Sequence, residues 1–124
     1  MLLQEQLTEQ IIGAAIEVRK HLGTGLLESA YEQCLCRELS LRNIPFRRQV
    51  EMPVSCKDMK LDCGYCIDVI VADRVILELK SVEQLSSVHE AQLLTYMRLS
   101  GIRIGFLINF NVALLKRGIV RRVL

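Results

Sequence analysis

The apolar positions of the chain follow two periods in turn. Over the first stretch, Leu7, Ile11, Ala14, Ala15, Val18 and Leu22 recur at helical spacing. Thr8 stands where a helix cap belongs, and Gly23 where a helix stops. The tight joint "GTG" at 23–25 leads into a second helix over roughly 26–42. Its expected apolar stripe is Leu27, Ala30, Tyr31, Cys34, Leu35 and Leu41. Asn43 suits the left-handed residue that closes a helix, and Pro45 prevents its continuation. The period then shortens. Residues 46–54 read as a strand with Pro53 at an edge or bulge, and "SCKD" at 55–58 reads as a turn. Strands follow over 59–71 and 75–80. A helix of about four turns comes next, with Ser87 and Glu90 at capping-box spacing and Gly101 at its stop. The apolar run 103–110 and the short stretch 118–124 complete the order ααβββαββ. That order predicts a mixed α/β domain over residues 1–124, with helices covering a sheet.

Within "CIDVIVADRVILELK", charges interrupt the best strand pattern of the chain. Alternation puts Ile67, Val69, Val71, Val75, Leu77 and Leu79 on one apolar face, toward helices. Asp68 and Ile70 then share the opposite face with Ile76, Glu78 and Lys80. A two-residue turn would place Asp68 opposite Leu79 and mix the two faces. The three-residue loop Ala72-Asp73-Arg74 sets Asp68 opposite Glu78 and Ile70 opposite Ile76. In that register the two carboxylates are about 5 Å apart at Cβ. Facing carboxylates repel unless one is protonated or a cation lies between them. A hard divalent ion with oxygen ligands, Mg²⁺ or Mn²⁺, meets that need. Lys80 would offset charge or orient a water. The same spacing also fits an exposed hairpin with an ordinary Lys–Glu surface pair.

Composition narrows the picture modestly. The 124 residues are 51% hydrophobic and 24% charged, without Trp, so the core is built from Leu, Ile and Val. A net charge of +2 selects no partner. The basic residues cluster at Arg47 and Arg48 and again at Arg103, Lys116, Arg117, Arg121 and Arg122, which suits either a phosphate-facing surface or a solvated rim. "MLLQEQLTEQ" carries acids and no long apolar run, unlike a signal peptide, and no window reaches the length of a membrane span. Five cysteines, an odd number, fit reduced thiols and a cytoplasmic location. "CGYC" at 63–66 would point Cys63 and Cys66 to opposite faces of a strand, and a tetrahedral ion would still need a further ligand. Passive thiols are the simpler reading.

The stretch "GLLESAY", Gly25 to Tyr31, fits G-x-x-E-x-x-Y. With Asp68, Glu78-x-Lys80 and Gln92-x-x-x-Tyr96 in order, the chain resembles the GxxExxY family of the PD-(D/E)XK nuclease-like superfamily over nearly its whole length. Ile67 stands where the superfamily's name has proline. The resemblance implies a restriction-endonuclease-like fold, a mixed central sheet flanked by helices. It also implies Asp68 and Glu78 as metal-binding acids, Glu28 as an additional acid, Lys80 as the catalytic lysine, and Gln92 and Tyr96 as site residues. The backbone carbonyl of Leu79 would add an oxygen ligand. The residues themselves leave other roles open: a core tyrosine for Tyr31, a first-turn acid for Glu28, a solvated helix face for His89, Gln92 and Tyr96. His89 fits a capping or surface role.

The implied activity is Mg²⁺- or Mn²⁺-dependent hydrolysis of phosphodiester bonds in DNA or RNA, with basic residues holding the nucleic-acid backbone. Two other readings compete. One is a non-catalytic nucleic-acid-binding or complex-assembly module on the nuclease fold. The other is a structural protein whose acids pair with Lys80. So short a chain has little surface for substrate recognition, which a homodimer or a larger protein partner would supply.

Overall fold

The computed structural model describes residues 4–61 and 64–124. Two helices open the chain, α1 (Glu5–Leu22) and α2 (Glu28–Leu41). Strands β1 (Phe46–Glu51), β2 (Val54–Cys56), β3 (Met59–Leu61), β4 (Cys66–Val71) and β5 (Val75–Lys80) follow. Helix α3 (Ser87–Ser100) then leads to β6 (Ile104–Asn109), a 3₁₀ turn (Leu115–Gly118) and β7 (Ile119–Val123). The fold is α/β, with the helices and the mixed central sheet expected from the chain's periods.

Ile11, Ala14, Ala15 and Val18 of α1 are buried as the spacing requires. The helix starts earlier than expected. Gln4 precedes it, and Thr8 lies inside the first turn, its hydroxyl donating to the Glu5 carbonyl. The buried stripe of α2 is Tyr31, Glu32, Leu35, Cys36 and Leu39. Leu27 and Leu41, expected in that stripe, stand at the helix boundaries and are exposed. The cap of α3 is also one residue earlier than expected. Ser86 and His89, rather than Ser87 and Glu90, satisfy each other's backbone N–H groups.

The expected strand over 46–54 is broken. Pro53 offers no N–H to a ladder, and pairing with β4 stops at Glu51. Beyond it, β2 and β3 form their own two-stranded hairpin around Lys57 and Asp58, both left-handed (φ 49 and 66) as a primed hairpin turn requires. The expected strand 59–71 therefore divides into β3 and β4.

The main sheet has the order β1-β4-β5-β6-β7. Only β5 and β6 are parallel, joined by the crossover through α3, and the other neighbours are antiparallel. Helices α1 and α2 cover one face, packing Val69, Val71, Val75, Leu77 and Leu79 with Phe106 and Ile108. Helix α3 covers the other, with Leu93, Tyr96 and Met97 on Ile70, Ile76 and Leu107. Gly105 lets it come close, since a Cβ there would lie 2.7 Å from both Leu93 Cδ1 and Met97 Sδ.

One apolar residue is on the unexpected face. Ile67 packs with Val50, Met52 and the α3 side, not with Val69. Register is kept from Arg48↔Val69 to Val50↔Ile67, but the intervening Gln49–Asp68 pair is missing. Gln49 is left-handed there (φ 48). Arg48 reaches Glu32 on α2, whereas Val50 joins the opposite cluster. The two strands thus turn over together at Gln49 and Asp68, which simple alternation cannot anticipate.

Candidate active site

The β4–β5 hairpin adopts the register with the odd loop. Val69 pairs with Leu77, Ile70 with Ile76 and Val71 with Val75. Ala72 and Asp73 are both left-handed (φ 52 and 55), and the Arg74 N–H donates to the Val71 carbonyl at 2.9 Å. Arg74 is the extra residue that sets the odd count. Continuing this register by one step brings Asp68 opposite Glu78.

At that step the ladder opens. Asp68 Oδ2 accepts the Leu79 N–H at 2.9 Å, and Glu78 Oε1 accepts the Asp68 N–H at 3.3 Å. Carboxylates thus take the place of ladder carbonyls between the strands. The Lys80 carbonyl accepts the Phe110 N–H on the β6 side. Since successive carbonyls of a strand alternate sides, the Leu79 carbonyl points toward β4 and the gap.

The electrostatics follow from this crowding. Glu78 is 3% exposed. Its burial first, and the charge of Asp68 second, push its carboxyl up to about 9. Burial also raises Asp68, against the stabilising N–H of Leu79. Near neutral pH the pair therefore holds a proton that belongs chiefly to Glu78, the more buried of two close carboxyls. The charge of Lys80 favours ionisation of both acids. The Lys80 side chain makes no hydrogen bond or ion pair among the described residues, and the residue is partly buried. Tyr96 of α3 approaches the same acids. Its phenol is raised to about 12, by burial first and then by Glu78 and Asp68. Gln92, one turn earlier, and Tyr96 line a groove of about 450 Å³ with Val54, Tyr65, Val88 and Leu99.

The G-x-x-E-x-x-Y stretch acts on the joint between α1 and α2. Gly25 is left-handed (φ 89). The Tyr31 hydroxyl donates to the Gly23 carbonyl at 2.7 Å and accepts the Leu26 N–H at 3.3 Å, while its ring stacks on Phe110 at 4.5 Å. Tyr31 is therefore a core residue with a satisfied hydroxyl. Glu28 accepts the Ser81 N–H at 3.2 Å, so it grips the backbone just beyond Lys80. His89 serves the α3 cap.

Three residues that sequence reasoning passed over shape the site. Glu32 of α2 is 6% exposed and raises the Asp68 carboxyl by its charge. Gln49 lies between Glu32 and Asp68. Asn109, 2% exposed at the end of β6, clasps Val82 through its N–H and carbonyl and so fixes the loop after Lys80. A polar residue closing the apolar run of β6 was a readable signal for Asn109. Glu32, next to Tyr31, was readable as an acid in a buried stripe. Nothing local marks Gln49.

A family model described as the PD-(D/E)XK nuclease superfamily matches residues 5–123. The chain belongs to that superfamily. No curated protein and no solved structure matches it. Members of this superfamily typically use divalent metals. Among the described residues no group of three or more His, Cys, Asp or Glu side chains gathers to hold an ion. The donor set still fits Mg²⁺ or Mn²⁺. Two crowded carboxyls and a backbone oxygen are hard ligands, and Mg²⁺ is commonly held by one or two carboxylates with water or phosphate completing the shell.

The basic residues singled out in the sequence form a divided surface. Arg47 and Arg48 lie on β1 at one sheet edge, and Arg121 and Arg122 on β7 at the other. Arg47 pairs with Asp73, Arg48 with Glu32 and Arg122 with Glu90. Among the described residues no helix is long and apolar enough to cross a membrane. Cys34, Cys36, Cys56 and Cys66 are free thiols, and burial pushes Cys36 up to about 11, which disfavours its thiolate. Cys63, and with it the "CGYC" geometry, lies outside the described residues.

Proposed function

We propose that this chain is a GxxExxY-type nuclease that hydrolyses phosphodiester bonds of DNA or RNA with Mg²⁺ or Mn²⁺. The observation that carries this reading is the opened ladder at Asp68 and Glu78, with Lys80 two residues on. A buried Glu78 beside a partly buried Asp68 destabilises the metal-free fold, and that cost is removed when a cation replaces the shared proton.

Asp68, Glu78 and the Leu79 carbonyl would hold the ion, with Glu28 as a further acid from α2. When bound, the ion polarises the phosphate and makes a bound water more acidic. Lys80, whose ammonium has no hydrogen bond or ion pair among the described residues, orients the attacking water or meets the growing charge on the phosphate. Tyr96 and Gln92 steady water or phosphate from the α3 side, Tyr96 keeping its proton because the acids nearby disfavour a phenolate. The basic residues hold the backbone of the nucleic acid without reading its sequence. A second copy or a larger protein extends the surface.

The test is incubation of the protein with single- and double-stranded DNA and RNA in Mn²⁺. Cleavage by wild type and none by Glu78→Ala supports the reading, and equal cleavage by both sinks it. The non-catalytic reading draws on the fact that among the described residues no group of three or more His, Cys, Asp or Glu side chains is gathered to hold an ion. It predicts nucleic-acid binding without cleavage.

A further inference from the structure

We propose that Gln49 is a positioning residue that aims the Asp68 carboxylate into the gap between β4 and β5. The proposal rests on the reading of Asp68 as a metal ligand given above.

Gln49 sits in the interior of an extended strand yet is left-handed, at φ 48. A glutamine rarely adopts that conformation without surroundings that enforce it. The surroundings are two carboxylates. Gln49 Nε2 donates to Glu32 Oε1 at 2.6 Å and to Asp68 Oδ1 at 3.4 Å. Carboxylates only accept, so the amide must present its nitrogen to both, and its two N–H groups suffice for two oxygens. Glu32 is a fixed anchor. Arg48 Nε and Nη2 hold its other oxygen at 3.3 and 2.9 Å, and the residue is buried. Glu32 therefore fixes Gln49, and Gln49 reaches Asp68.

The backbone completes the device. The Gln49–Asp68 pair is the one step missing from the β1–β4 register. A regular pair would stand the Asp68 side chain across the sheet face. With the pair undone, Asp68 turns into the sheet, one oxygen toward Gln49 on β1 and the other on the Leu79 N–H of β5. Donors from two strands thus set the plane of one carboxylate. Such outer partners of metal ligands matter roughly 10- to 100-fold in affinity.

Gln49→Gly removes the side chain without straining the backbone, because glycine accepts the left-handed conformation. In metal-free protein we expect the Leu79 amide to exchange at least tenfold faster than in wild type, with Val69, Ile70 and Leu77 amides unchanged as internal controls of folding. In calorimetric titration we expect Mn²⁺ to bind Gln49→Gly about 10- to 100-fold more weakly. Gln49→Asn, which also tolerates the left-handed conformation but is one methylene shorter, should move both readouts in the same direction. Unchanged Leu79 exchange overturns the proposal. So does unchanged Mn²⁺ affinity where wild type binds the ion. A wild type that binds no Mn²⁺ instead removes the metal reading, and the exchange experiment alone then decides the role of Gln49.

Discussion

Asp68 and Glu78 interlock across an open ladder: Glu78 accepts the backbone N–H of Asp68 at 3.3 Å, and Asp68 accepts that of Leu79, the residue after Glu78, at 2.9 Å. Each acid thereby fixes the strand that carries the other. The arrangement is electrostatically unfavourable without a proton or a cation.

Divalent ions should stabilise the fold through these two acids. At an ion concentration 100 times its dissociation constant, the gain is about 2.7 kcal/mol. Thermal unfolding with and without Mn²⁺ measures it. The shift should vanish in both Asp68→Ala and Glu78→Ala.

The metal-free protein should lose stability as pH rises. Glu78 keeps its proton up to about 9 in the fold, against 4.5 for an ordinary glutamate, and Asp68 is raised as well. Between those limits the folded state binds more protons than the unfolded one. The contribution of Glu78 is thus complete below pH 4.5 and lost as pH climbs through about 9. A slope of about 1.4 kcal/mol per pH unit is expected for each proton of difference. Glu78→Gln should flatten the slope in urea melts between pH 5 and 9, and should be more stable than wild type at pH 8 without metal.

Lys80→Ala should separate binding from chemistry. The lysine bonds to neither acid among the described residues, so the Mn²⁺-dependent thermal shift should survive its removal. Cleavage of nucleic acid should fall by about 10²- to 10³-fold, the usual loss when one donor to developing charge is deleted. Retained cleavage would assign the charge stabilisation elsewhere.

Tyr31→Phe tests the structural side of the G-x-x-E-x-x-Y motif. The ring keeps its stack on Phe110, while the Gly23 carbonyl and the Leu26 N–H lose their partner. A loss of about 1–3 kcal/mol in urea unfolding is expected. No loss would mean that water replaces the hydroxyl at this joint.

Much of the architecture was legible because it rests on local periods. The stripe Ile11, Ala14, Ala15, Val18 and the opposition of Ile70 to Ile76 are consequences of 3.6- and two-residue repeats, and both appear as read. The odd loop followed from keeping apolar residues on one face, and with it the meeting of Asp68 and Glu78. Other features depend on parts of the chain that no local window contains. Ile67 changes face because Gln49 is left-handed, and Gln49 is held by Glu32, 17 residues earlier. Glu28 and Glu32 look alike in sequence, yet packing sends one to the backbone of Ser81 and the other toward Asp68. The sequence by itself determined the three helices, the β4–β5 hairpin and the pair of acids on it, since side-chain spacing decides what each segment can bury. Only the tertiary structure decided how those acids are aimed, because that depends on hydrogen bonds between segments brought together by folding.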